Sequence, residues 1–171
     1  MKQLLVATLL AGVLPLMACT KDDFDNSTVS EFDLSRYLGV WYEIARFDHS
    51  FERGMDNAMA QYILQDDGTV VVLNTGWKEG QFKIAEGKAK YPDPEKKPGA
   101  LKVSFFMFFY ADYNILEMAA DGSWVLVGGG SPKYLWILAR EKQLPTAVID
   151  HIIKLARERG YDTDALIFDA D

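Results

Sequence analysis

Gly39-Val40-Trp41-Tyr42-Glu43-Ile44-Ala45-Arg46 begins the β-rich part of the chain, and Leu135-Trp136-Ile137-Leu138-Ala139-Arg140 ends it. Both stretches are rich in aromatic and branched residues, which suit a pleated, half-buried surface. Six more such runs lie between them, giving eight in all: Val40 to Asp48, Asn57 to Gln65, Thr69 to Trp77, Gln81 to Tyr91, Ala100 to Phe106, Tyr113 to Met118, Ser123 to Gly128 and Tyr134 to Arg140. They recur at hairpin intervals, with Asp67-Gly68 and Asp121-Gly122 as turn signals. Eight antiparallel strands in succession predict an up-and-down barrel or a sandwich. Closure into a barrel removes exposed strand edges and leaves an interior just large enough for one small ligand.

Beyond the last run, Pro145 to Arg159 reads as a helix. Pro145 suits its first turn, Gly160 the position past its end, and Arg157 and Arg159 complement its C-terminal dipole. Val148, Ile149, Ile152, Ile153, Leu155 and Ala156 form a wide apolar face, which predicts packing on the outside of the sheet. Leu166-Ile167-Phe168 adds a short final strand.

Composition narrows the function. With 171 residues the chain is near the size of one domain, for which about 150 is typical. A hydrophobic share of 49% excludes a disordered chain, and a formal charge of -7 argues against nucleic acid as a partner. One cysteine and two histidines leave too few ligands for a thiolate cage or a zinc site, so no metal site and no cofactor are expected.

Met1-Lys2 precedes an apolar run from Leu4 to Ala18, broken by Gly12 and Pro15, with the form of a secretory leader and too short to span a bilayer. It ends in Leu16-Met17-Ala18-Cys19, which resembles the bacterial lipobox, where the leader is cut before a cysteine that carries lipid. The domains expected are residues 1–18 as signal peptide, 19–30 as a flexible tether and 31–171 as the folded domain. An ordinary leader with an incidental buried cysteine is the alternative. Thr20 after the cysteine resembles an outer-membrane sorting pattern.

The segment from Gly39 to Arg46, followed at the right distance by Leu135 to Arg140 and then a helix, resembles the lipocalins. Phe47 to Gly54 and Leu101 to Phe106 look like the bacterial members, of outer-membrane lipoprotein type, and their relative apolipoprotein D. The resemblance implies an eight-stranded antiparallel up-and-down barrel whose narrow end is closed by Gly39, Trp41 and Arg140, the arginine stacking on the indole. One departure concerns the middle motif, often T-D-Y, where this chain has Ala119-Ala120-Asp121-Gly122-Ser123-Trp124.

Alternation along the last strand places Trp136 and Leu138 on the same face as Arg140, which points Trp136 inward. The resemblance adds Tyr62, Asn74 and Tyr113 around a pocket. Aromatic walls with a few phenol and amide groups suit an amphiphile with a buried chain. Met107-Phe108-Phe109-Tyr110 falls between the fifth and sixth strands as a loop at the open end. It reads as a lip touching membrane, as a flap folded over the cavity, or as a homodimer contact.

Asp48, His49 and Ser50 include the residue types of a hydrolytic triad, but neighbours at one strand end point different ways. The expectation is a lipid-anchored carrier of a fatty acid or lysophospholipid at the outer membrane, not an enzyme. The rivals are a lipid-modifying enzyme and an interaction module whose barrel is packed shut.

Overall fold

The computed structural model describes residues 24–169, so the leader and Cys19 lie outside the described residues. Eight strands form the wall: β1 (Gly39–Phe47), β2 (Asp56–Leu64), β3 (Val70–Lys78), β4 (Gln81–Lys90), β5 (Ala100–Phe106), β6 (Phe109–Met118), β7 (Trp124–Gly128) and β8 (Leu135–Ala139). Each pairs antiparallel with the next, and β1 pairs with both β8 and β2, which closes the sheet. The barrel, not the sandwich, is therefore the fold.

Two apolar layers hold it. Trp41, Tyr62, Val72, Leu101, Ile115, Val127 and Leu138 fill the interior. On the outside, the helix α2 (Thr146–Glu158) buries Ile152 and Ala156 against Leu116, Leu126 and Ile137. Full burial of one such aliphatic side chain contributes roughly 1.5 to 3 kcal/mol. Gly160 ends the helix at φ 85°, a left-handed conformation that only glycine adopts without strain.

A short helix, α1 (Leu34–Tyr37), was not foreseen; it is capped by Asp33, whose side chain accepts from Ser35 N, and it closes the narrow end of the barrel. A short strand, β9 (Leu166–Phe168), pairs with β1 at Ala45 to Phe47, beyond the point where β2 parts from β1. The next residue, Asp169, accepts from the backbone N–H groups of Asn57 and Ala58, and so holds β9 across that seam.

Two expectations need correction. Residues 24–30 do not form a free tether, because Asp25 N donates to Arg159 O, Asn26 Nδ2 to Gly129 O and Val29 N to Ile115 O. The polar residues that suggested a flexible linker are those that satisfy backbone groups on the barrel's outer wall. Likewise the lip is shorter than its composition suggested. Phe106 pairs with Phe109, so Phe109 and Tyr110 belong to β6 and only Met107-Phe108 turns the chain.

Candidate ligand-binding site

The closed end is built around Trp41. Its indole is fully buried, and Nε1 donates to Tyr37 O at 2.7 Å. The Arg140 guanidinium lies 3.7 Å from the ring centre and donates to Val40 O, Arg36 O and Leu38 O at 2.6, 2.7 and 3.0 Å. One planar cation thus ties α1 and the start of β1 to the end of β8. Gly39 lies beside it at φ 93°, where any other residue would be strained.

Above this floor, three phenols meet. Tyr113 Oη lies 2.7 Å from both Tyr37 Oη and Tyr62 Oη. Burial pushes Tyr62 up to about 12 and Tyr37 and Tyr113 well above the ordinary phenol value, so all three stay protonated at neutral pH. They form a polar shelf just above the apolar packing around Trp41.

The upper part of the lumen is lined by small side chains. The registers Val72↔Gly87, Asn74↔Ala85 and Val103↔Ala111 put Asn74, Ala85, Gly87 and Ala111 on the inward face. Ala85 and Ala111 are nevertheless exposed, so the wall there borders an open cavity rather than packed neighbours. A Cβ on Gly87 would come within 2.7 Å of the Phe105 ring, which leans across it. Asn74 Oδ1 is buried without a protein partner, an acceptor left free on the cavity wall.

Of the four residues anticipated for the pocket, Tyr62, Tyr113 and Trp136 come together: Tyr62 and Tyr113 share a hydrogen bond, and Tyr113 and Trp136 have ring centres 6.4 Å apart. Asn74 stands on the same inner face two residues along β3 from Val72, which pairs with Tyr62.

Alternation alone did not reveal a charged cluster near the mouth. A bulge in β1 between Glu43 and Ala45 turns both Glu43 and Arg46 to the inner side, opposite Leu138 and Trp136. Arg46 Nη1 donates to Glu43 Oε1 at 2.5 Å, while Nη2 reaches the carbonyls of Glu52 and Met55. Glu52 Oε2 lies 3.0 Å from both Trp136 Nε1 and His49 Nε2. Burial alone would raise the Glu52 carboxyl, but the close contact with His49 and the hydrogen bond from Trp136 outweigh it and hold Glu52 below its usual value. Burial and the Glu52 charge push Glu43 up to about 7 despite the Arg46 guanidinium. His49 stacks on Phe51 at 4.0 Å and leans on Trp136, so its ring is committed to the packing of the loop. The signal for Glu43 and Arg46 was their spacing of three, which would send them to opposite faces of a regular strand; for Glu52 the linear pattern holds no signal.

A second hollow, of about 780 Å3, lies on the outer wall between β1 to β3, the start of α2 and β9, lined by Tyr42, Ile44, Met59 and Leu144. Among the described residues no helix is long and apolar enough to cross a membrane.

Comparison with known proteins agrees with this architecture. Residues 32–171 match the lipocalin-like domain. The outer membrane lipoprotein Blc of Vibrio cholerae is 44% identical over 143 residues, covering 82% of this chain and 83% of that protein. Its namesake in Escherichia coli K12 is 41% identical, covering 83% and 81%. Mouse apolipoprotein D is 28% identical over 79% of this chain and 75% of its own length. Among solved structures, insecticyanin from the tobacco hornworm superposes with a TM-score of 0.71 at 22% identity, covering 86% of this chain and 85% of that one.

Proposed function

Because the chain belongs to the lipocalin-like domain family, we propose that it is a lipid-anchored carrier that buries the hydrocarbon of a fatty acid, lysophospholipid or similar amphiphile in its barrel at the outer membrane. It binds reversibly, needs no cofactor and does not turn over what it holds. Lipidation at Cys19 would supply the anchor, in keeping with relatives that are outer membrane lipoproteins.

The observation that carries this reading is the two-tier lumen. Below, aromatic and branched side chains are packed solid around Trp41 and the phenol shelf. Above, inward-facing Ala85 and Ala111 remain open to solvent. An alkyl chain entering there gains the transfer free energy of its methylenes, and Asn74 Oδ1, Trp136 and the phenols offer a few polar contacts. The open tier speaks against a barrel packed shut as an interaction module.

Titration of the delipidated domain with acids of increasing chain length tests it. A sixteen-carbon acid has about 15 methylenes, a gross burial of roughly 12 kcal/mol. Lost freedom on binding takes back much of this, so the expected Kd is between about 10 nM and 10 μM at one ligand per barrel. Affinity should rise with chain length until the cavity is full. No saturable binding at a concentration of about 100 μM, well above that range, overturns the carrier reading, and steady conversion of a lipid substrate would favour the enzyme.

A further inference from the structure

The most conspicuous feature outside the lumen is the rim of its open end. Phe106, Met107, Phe108 and Phe109 are 67%, 68%, 84% and 76% exposed, four consecutive large apolar side chains in water at the tip of the β5–β6 hairpin. Phe51 on the β1–β2 loop is also exposed, and Trp77 and Phe82, packed on each other across the β3–β4 turn, are about half exposed. Three neighbouring hairpins at one end of the barrel therefore carry apolar tips.

Local structure does not require this. A two-residue hairpin turn is normally made by asparagine, aspartate or glycine, which accept positive φ and are soluble. Here Met107 holds φ at 49°, a conformation disfavoured for a side chain of its size. Backbone strain and exposure to water both oppose a methionine flanked by phenylalanines at this place. The residues are accommodated only if something apolar covers them.

The path of the N-terminal segment identifies the cover. Asp33 caps α1 at the closed end; going backward, Val29 bonds to β6 at Ile115, and Asn26 bonds to Gly129, the first residue of the β7–β8 loop at the mouth. Phe24 then packs on Tyr161. The chain thus climbs the outer wall and leaves it on the side of the mouth. Cys19 stands five residues before Phe24, a reach of at most about 18 Å. An acyl chain on Cys19 would hold the bilayer on the same side as the apolar rim.

We propose that the open end of the barrel is a docking surface for a lipid bilayer, with Phe106 to Phe109 and Phe51 seated at the boundary between headgroups and acyl chains, so that the lumen opens directly onto the membrane. This deepens the carrier reading, since an amphiphile then passes between membrane and lumen without crossing bulk water.

The test uses the chain from residue 19 onward with Cys19→Ser, which retains every residue of the described fold and has no acyl anchor. It is sedimented with vesicles of phosphatidylethanolamine and phosphatidylglycerol at three to one. The parent should partition onto the vesicles, and the triple variant Phe106→Ser, Phe108→Ser, Phe109→Ser should partition at least tenfold less. Leu64→Ser, an exposed apolar residue beside the β2–β3 turn at the opposite end, should partition as the parent does. A second variant, Phe108→Trp, should shift its added emission to the blue when vesicles are supplied. Fatty-acid titration without vesicles, unchanged in the triple variant, keeps failure of docking distinct from failure of the carrier reading. Equal partition of parent and triple variant overturns the proposal, as does a parent that stays in solution. A parent dimer that the triple variant dissolves, with vesicle partition unaltered, assigns the rim to a contact between copies and overturns it too.

Discussion

The Trp136 indole donates to the Glu52 carboxylate at 3.0 Å, joining the last strand of the barrel to the loop between β1 and β2. That loop is fastened twice more, by His49 on the same Glu52 oxygen and by Arg46 on the carbonyls of Glu52 and Met55. The inner wall of the cavity and one side of its mouth are therefore a single hydrogen-bonded unit. Trp136→Phe keeps an aromatic ring but removes the donor, and a hydrogen bond to a charged acceptor is worth about 1.5 to 3 kcal/mol. Amide exchange in residues 50–55 should accelerate tenfold or more, while the closed end keeps its protection. Unchanged exchange in that loop would show that the bond does not hold it.

Trp136→Ala additionally removes the ring from the cavity wall. Fatty-acid affinity should fall by about 1 to 3 kcal/mol, the range for truncating a buried aromatic contact. Isothermal titration checks it, and the parent's tryptophan emission should change on binding, a signal that Trp136→Ala diminishes.

Glu43 makes stability depend on pH. Its folded value of about 7 lies above the unfolded value near 4.5, so its favourable contribution is fully present below pH 4.5 and is lost as pH rises through 7. The difference corresponds to about 3 kcal/mol. Arg46, Glu52 and Asp169 are the charges around it. Glu52, held below its usual value, acts in the opposite sense and loses its contribution as pH falls through its folded value. Glu43→Gln should therefore gain on the parent by about 2 to 3 kcal/mol between pH 5 and pH 8, read from urea midpoints. A constant difference across that window contradicts the assignment.

Arg140→Ala removes the cation over Trp41 and leaves three carbonyls without their donor. The expected loss is about 2 to 4 kcal/mol. Arg140→Lys keeps the charge but cannot span all three acceptors, and should recover less than half. Denaturant unfolding of both variants decides it; a full rescue by lysine would mean that charge alone matters.

Tyr113→Phe leaves the Tyr37 and Tyr62 hydroxyls without their shared partner in a buried place. A loss of about 1 to 3 kcal/mol is expected. Stability unchanged within error would indicate that water replaces the phenol.

Cys19→Ser in the full chain should abolish lipid modification and leave precursor or released soluble protein, read as loss of the acyl mass from the isolated protein. A variant that still carries the acyl mass, or a parent that lacks it, would remove the anchor.

Much of the fold was legible because its signals are local. Runs of β-formers broken by Asp-Gly turns mark strands, and Pro145 and Gly160 bracket a helix, whatever lies elsewhere in the chain. Period-two alternation was enough to put Trp136 on the side of Leu138 and Arg140, since no bulge interrupts β8. The phenol shelf was half visible: Tyr62 and Tyr113 were named, while Tyr37, in a four-residue helix that no local pattern announced, was not.

What the amino-acid sequence determined by itself is the succession of strands and the helix on the outside, because each depends on spacing along the chain; the closing pair Trp41 and Arg140 followed from the resemblance to the lipocalins. What only the tertiary structure decided is which polar groups share the lumen. A bulge of one residue in β1 reverses the side on which Arg46 lies, and Glu52 finds Trp136 only after the barrel has closed. The same holds for residues 24–30, whose composition suits a free linker but whose hydrogen bonds are made with Ile115, Gly129 and Arg159, groups brought beside them by folding alone.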